Sequence, residues 1–466
     1  MSGCRDHWPK QRAIGRDSCR ILAFAWCVAI AGLMGSYRAA AEPVLLPTRL
    51  TLRDCVSLAL AKAPEARITE QLVLAAGLRA RNAGVAFVPT LGLESGLVRG
   101  SQMGRDITGA IGSRAQAGHL VRLVIDQHLF DSGLSRAECQ AARADLVAEL
   151  CDQRATAEDL ALRVVERFYD AVQAGEELSQ ARRAATRADG YVALASARFE
   201  TGRVAKVDIT RAQVGAAESQ LQLLRAEHRL EAARLQLWEA LGEDPGAQVE
   251  LVDDVTTLAG ETEASLVAIA ASSHPRIETL QAELQARAAR VRQARLAETM
   301  QLSVDGGYSL DTLSSEVKAR DWLLYASVSY PLFDAGQAHR NTAALKAEMA
   351  ALRLHLEDQS AVLATERKQA VLLCQEADML VALAGKQVAQ AEESVWLLKL
   401  SYEVGRTPLG DLLDAELALA KSEANLAATR FERKTAVAHA YYASGVLVQR
   451  LSQNTVLQAA AQTGAR

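Results

Sequence analysis

The sequence has little of what most folds rely on. Its 466 residues include only 9 prolines, and aromatic side chains make up 5%. That argues against an ordinary all-β domain, which depends on aromatic and β-branched strands punctuated by turn residues. Seven cysteines form no C-x-x-C pair and no metal-ligand spacing, so neither a zinc module nor a disulfide-stapled scaffold is indicated. A formal charge of −4 offers no basic stripe to neutralise phosphates, so nucleic acid is not an expected partner. No G-x-x-x-x-G-K-S/T, H-E-x-x-H or G-x-S-x-G occurs, leaving hydrolysis and metal catalysis without a site. The chain reads as a non-enzyme without a cofactor, whose energy comes from a partner. Beyond residue 41 no apolar run approaches the ~20 residues of a membrane helix. Entry into a membrane would have to use β-strands, whose alternation escapes hydropathy.

Helix formers are abundant instead. Ala, Glu, Lys, Leu and Arg supply 237 residues, 88 of them Ala, a composition typical of long, closely packed helices. Arg5, Lys10, Arg12, Arg16 and Arg20 precede an apolar stretch from Ile21 to Gly35 and then Ala39-Ala40-Ala41. This predicts a secretory signal peptide over residues 1–41, without a lipid-anchoring cysteine at its cleavage site. Its removal takes away six basic and two acidic side chains and moves the formal charge from −4 to −8. Cys55, Cys139, Cys151 and Cys374 remain and read as small residues in helical packing.

The mature chain repeats itself. Leu129-Phe130-Asp131-Ser132-Gly133 matches Leu332-Phe333-Asp334-Ala335-Gly336 at an offset of 203, as Phe199, Gly202 and Asp208 match Tyr402, Gly405 and Asp411. Upstream, Pro64 and Arg81 match Pro275 and Arg292 at an offset of 211. The first copy therefore carries eight extra residues between Arg81 and Leu129, read as a tolerant loop. Two copies are too few for a solenoid, so the first repeat is placed at 42–260, the second at 261–450 and a tail at 451–466.

Periodicity changes in the same order within each copy. A helical stripe is followed by a strand pair, about 88–98 with 119–130 and 301–310 with 322–333. In the strand ending at Phe130, Val121, Leu123, Ile125 and Leu129 alternate with Arg122, Asp126 and His128, which puts the latter three on the polar, lumen-facing side of a wall. Proline-free stretches then predict long helices over 131–199 and 334–402, on the order of 100 Å each. Asp131 and Asp334 are the expected caps. Return helices follow at 208–241 and 411–448. Four strands per chain cannot close a barrel, so further chains must supply the rest.

These residues resemble the TolC-like outer membrane factor family over roughly 50–450. The resemblance is carried by "LTLRDCVSLALAKAPE", "AFVPTLGLESG", "HLFDSG", "YPLFDAG", "RFETGRVAKVD" and "SYEVGRTPLGDLLDAE". It implies a mainly α protein with a transmembrane β-barrel part: a homotrimer whose 12-stranded barrel sits in outer membrane lipid of a Gram-negative bacterium and continues as an α-helical periplasmic tunnel. The implied function is a passive exit duct for efflux or type I secretion. Its implied partners are a periplasmic adaptor protein and an inner membrane pump, ABC or proton-driven. The resemblance places Asp411 and Asp414 at a periplasmic aperture of stacked carboxylates, where three copies would favour cations. It makes Tyr402 and Asp208, with Arg406, a closed-state latch, although Arg406 lies one position nearer the glycine than the family pattern. Gly202 and Gly405 become tip turns that meet the adaptor. The competing reading is an exported periplasmic coiled-coil scaffold without a pore, which would have no use for alternating strand pairs.

Overall fold

The computed structural model describes residues 49–85, 88–105, 111–202, 204–243, 249–253, 274–296, 299–313, 317–330 and 332–452. The expected signal peptide and most of the C-terminal tail lie outside these residues. In chain order the elements are β1 (Arg49–Thr51), α1 (Leu52–Lys62), α2 (Pro64–Ala83), β2 (Thr90–Arg105), β3 (Ile111–Phe130), α3 (Leu134–Glu200) and α4 (Lys206–Leu241). The second copy follows with β4 (Glu250–Val252), α5 (Pro275–Leu296), β5 (Gln301–Leu313), β6 (Val317–Ser329), α6 (Gln337–Glu403) and α7 (Leu409–Ala443).

The duplication is carried through residue by residue. α3 and α6 are both 67 residues long, about 100 Å, and start 203 positions apart. Each is launched by the same device, a pair of left-handed residues after the strand: Ser132 and Gly133 (φ 53° and 94°), and Ala335 and Gly336 (φ 55° and 78°). Asp131 accepts from the backbone N–H groups of Gly133 at 3.0 Å and Ser135 at 2.6 Å, and Asp334 accepts from those of Gly336 at 2.8 Å and Ala338 at 2.7 Å. The helices start three residues later than the sequence suggests, with Gly133 and Gly336 as N-caps, and the two aspartates satisfy first-turn N–H groups from two positions before them. Donation from Ala338 and Gly336 holds the Asp334 carboxyl below its ordinary pKa.

Two elements of each copy stack end to end. At the C-terminus of α4, Gly242 adopts φ 70° and sits against Ala63 and Pro64, which open α2. At the C-terminus of α7, Gly445 adopts φ 70° and sits against His274 and Pro275, which open α5. Glycine supplies the left-handed stop and proline the first helical turn, as helix ends favour. The expected second return helix to residue 448 therefore ends at Ala443, where this glycine turns the chain. A parallel pair joins β1 at the start of the first repeat to β4 near its end.

Four helical columns result. α2 and α4 pack on α3, α3 packs on α5 and α7, and α5 and α7 pack on α6. Small residues at the contacts, such as Ala141, Ala148, Cys151, Ala282 and Ala286, let the axes approach closely. Cys55, Cys139, Cys151 and Cys374 are free thiols, and burial pushes the Cys55 thiol up to about 12. The four long strands form one antiparallel sheet in the order β2-β3-β5-β6. The extra residues of the first copy do not make a loose loop. They lengthen its hairpin, so that β2 and β3 pair from Thr90 and Asp126 out to Arg105 and Ile111, while β5 stops opposite Gly118.

Candidate functional site: a lipid-type wall and a helical tip

Register fixes which side chains share a face. One row across the sheet is Leu91, Ile125, Gly306 and Leu324, and the next row on that face is Leu93, Leu123, Tyr308 and Trp322. These apolar side chains are exposed, Leu93 and Trp322 to 73% each. An apolar sheet face that nothing covers among the described residues is what a lipid-facing wall would present. The opposite face holds Thr90, Asp126, Asp305 and Tyr325 in one row. Glu94 lies opposite Arg122 on it, and His128 opposite Ser303. The register puts Arg122, Asp126 and His128 on one face of the sheet. His128 Nδ1 lies 3.4 Å from Asp126 Oδ1, and the Arg122 guanidinium spreads over Gly307, where a Cβ would lie 3.1 Å from its Nε.

One detail departs from strict alternation. The register shifts between His128 and Phe130, so Leu129 is the extra residue of a bulge and Phe130 comes to lie opposite Leu302. Leu302 is itself opposite Val328, on the apolar side. The bulge thus moves the apolar role from Leu129 to Phe130 as the strand leaves the sheet for the helix.

At the far end of the helices each hairpin turns on a glycine. Gly202 and Gly405 adopt φ 70° and 78° with open space around the missing Cβ, so both are turn-formers for their backbone angle alone. Asp411 and Asp414 lie one turn apart at the start of α7, both exposed, and point away from buried Leu412 between them. Tyr402 is not paired with Asp208 or Arg406. It is buried with Ala195, Ala212, Leu409 and Leu412, and its hydroxyl finds no hydrogen-bond partner among the described residues. The Arg198 guanidinium lies 4.3 Å above its ring and donates to its carbonyl oxygen at 2.9 Å. One turn further along α7, Glu416 accepts from the Tyr191 hydroxyl at 2.6 Å and pairs with Arg187 at 3.2 Å. Arg187, Tyr191, Arg198 and Glu416 were missed by sequence reading, which followed residues shared by the two copies. These four differ between copies, and that difference was the available signal.

Midway along the helices, polar groups tie the second stacking junction together. Arg276 donates to both carboxylate oxygens of Asp159 at 3.0 and 2.9 Å, and the Tyr442 hydroxyl donates to Asp159 at 2.7 Å. His274, 1% exposed, is pushed down to about 4 by burial and by Arg276. Glu158 is 6% exposed, and burial pushes its pKa up to about 7 against the pull of the Val448 and Leu447 amides. The two groups act in opposite directions. Glu158 contributes stability that is complete below its ordinary value of 4.5 and lost as pH rises through about 7. His274 contributes stability present above 6.5 and lost as pH falls through about 4. Glu158→Gln is therefore expected to raise thermal stability at pH 8, by on the order of 2 kcal/mol, with no gain at pH 4. Melting temperatures across that range check it, and an equal effect at both ends would contradict the assignment.

A strand pair followed by a long helical hairpin, duplicated in one chain, defines the class as TolC-like outer membrane efflux proteins. The sequence model of the outer membrane efflux protein family matches residues 55–243 and 266–446, and the chain belongs to that family. The cobalt-zinc-cadmium resistance protein CzcC of Cupriavidus metallidurans is 26% identical over 270 residues, 56% of this chain and 62% of that protein. Protein CyaE of Bordetella pertussis is 27% identical over 300 residues, 63% of this chain and again 62% of the relative. The chain thus spans a little under two thirds of the curated relatives it matches. Among solved structures, the CmeC outer membrane channel of Campylobacter jejuni shares the fold with a TM-score of 0.74, covering 85% of this chain and 86% of that one at 16% identity.

Proposed function

We propose that the chain is one third of a passive exit duct in the outer membrane of a Gram-negative bacterium. The observation that carries this is the coincidence of two open seams. β2 and β6 are the unpaired edges of the sheet, while α2 with α4 and α6 are the outermost helical columns. β2 continues from α2 and β6 leads into α6, so each open sheet edge leads to an outer column of its own side. Unpaired edges are not tolerated in lipid. A ring of three copies would pair β6 of one chain with β2 of the next, giving 12 strands and, beneath them, 12 helical columns.

In such a ring the tips of α6 and α7 supply the periplasmic aperture. Asp411 and Asp414, exposed and one turn apart, would contribute two tiers of three carboxylates and favour cations. The latch reading of Tyr402 with Asp208 and Arg406 requires the buried phenol to gain a partner it lacks in the single chain. The turns at Gly202 and Gly405, free of neighbours around their Cα atoms, are the proposed contact for a periplasmic adaptor. An inner membrane pump, ABC or proton-driven, supplies the energy and selects the cargo, small molecule or polypeptide. The native mass of the detergent-extracted mature protein tests the assembly. Three chains per particle are expected, whereas a monomer that stays dispersed without detergent would favour the scaffold.

A further inference from the structure

The four long strands sort their charges by face. Pleating places every second residue on the same side, and the register carries the two faces across β2, β3, β5 and β6. The acidic residues of these strands are Glu94, Asp126, Asp305, Asp311 and Asp321, and all of them fall on the polar face, alongside Arg114 and Arg122. The apolar face holds none. It carries basic residues instead: Arg99 and Arg105 on β2, His119 on β3, and Lys318 and Arg320 on β6.

These basic residues gather at the end of the sheet away from the helices. Leu93, Leu123, Tyr308 and Trp322 form an apolar row, and the next row outward brings Arg320, opposite Leu310. His119 and Lys318 share the row after that, each opposite Thr312, and Arg99 lies one row further. Val328, near the helix end of the same face, and Arg320 are eight residues apart on β6. That is about 27 Å along the strand, or roughly 20 Å in height at a barrel tilt of about 40°. The apolar band of a membrane barrel is about 25 Å tall and is bordered by aromatic girdles. Tyr308 and Trp322 stand one row before Arg320, so the basic residues begin where hydrocarbon gives way to headgroups.

A strand end that merely meets water is free to mix acids with bases, as the opposite face does. Three arginines and a lysine with no carboxylate among them make an anion-attracting surface, and guanidinium groups pair bidentately with phosphate. Continuity with the apolar rows favours an anion that carries acyl chains. We infer that this basic collar binds the phosphate groups of outer-leaflet lipids. The inference rests on the duct reading above, which puts the helices in the periplasm and the far end of the strands at the outer leaflet.

The mature protein in neutral detergent, titrated with diphosphoryl lipid A or with the same lipid stripped of its phosphates, tests this, with lipid retained per chain measured after gel filtration. The diphosphoryl lipid is expected to bind at least tenfold more tightly than the stripped one. Each basic side chain beside an anionic surface contributes a factor of about five. Arg99→Gln, Lys318→Gln and Arg320→Gln together should therefore weaken binding on the order of 100-fold, while Glu94→Gln with Asp311→Asn, on the other face, should leave it unchanged. Equal binding of the two lipids, or a triple variant that binds as the parent does, would overturn the inference. Displacement of the lipid by an equal concentration of inorganic phosphate would overturn it too, because the collar would then be a site for a soluble anion. Should the triple variant fail to fold, the parent protein serves. Raising ionic strength from about 0.1 M to about 1 M shortens the screening length from roughly 10 Å to roughly 3 Å and should weaken retention of the diphosphoryl lipid about tenfold. Retention indifferent to salt would overturn the inference. A protein that stays monomeric and dispersed without detergent would instead overturn the duct reading, so the two failures are distinguishable.

Discussion

Gly445→Ala is expected to destabilise the protein by about 2–5 kcal/mol, whereas Gly405→Ala costs about 1 kcal/mol. The backbone angles are alike, φ 70° and 78°, so the left-handed penalty is common to both. The surroundings decide the difference. A Cβ on Gly445 would lie 2.5 Å from Pro275 Cδ and 3.1 Å from His274 Cα, while a Cβ on Gly405 meets nothing within 4 Å. The obstacles at Gly445 are a proline ring and main chain at the start of α5, which cannot swing aside as a flexible side chain would. Gly242→Ala, with Ala63 Cα 2.9 Å away, should resemble Gly445→Ala. Thermal unfolding of the helical signal separates these cases. Equal losses at the tip and at the junctions would contradict end-to-end stacking as the source of the constraint.

Leu93→Arg should prevent stable membrane assembly, while Glu94→Gln should leave it intact. Leu93 is 73% exposed and lies in the apolar row with Leu123, Tyr308 and Trp322, so in the proposed barrel its side chain would face lipid. An arginine on the lipid side of a barrel costs about 2–4 kcal/mol near the midplane, and a three-chain ring would carry three of them, roughly 6–12 kcal/mol per particle. Glu94, opposite Arg122 on the other face, meets water, where loss of one charge matters little. Membrane extraction yield and resistance of the oligomer to detergent report the outcome. A normal yield of the Leu93→Arg protein would remove the lipid-facing assignment of that row.

Much of this architecture was legible because the chain states it twice. The repeated Leu-Phe-Asp-Ser/Ala-Gly marks locate the strand-to-helix switch in both copies, and α3 and α6 obey the offset from first residue to last. Period-two alternation was enough to place Arg122, Asp126 and His128 on one face, because pleating leaves no other choice. The outer ends of β2 and β3 were not legible. Residues 96–105 and 111–113 include several Gly and Ser residues with weak strand preference, and pairing with the neighbouring strand orders that backbone. β1 and β4, three residues each, are too short to show a period. The stacking junctions join residues far apart in sequence, and their local marks, a glycine after one helix and a proline before another, are read only once the pieces meet. The tip contacts of Arg187, Tyr191 and Arg198 with Glu416 and Tyr402 were hidden for the opposite reason: they reside in residues that the duplication did not keep.

Single-channel recording of the purified mature protein in a planar bilayer tests the central claim most directly. With a trivalent cation added on the side of the helical tips, the duct reading predicts a small, cation-selective conductance that the ion blocks. It also predicts that Asp411→Asn with Asp414→Asn weakens both selectivity and block. A folded, membrane-inserted trimer that conducts without cation preference and ignores the ion would contradict the placement of these carboxylates at the narrowest point. One that never conducts, even with both aspartates neutralised, would contradict the duct.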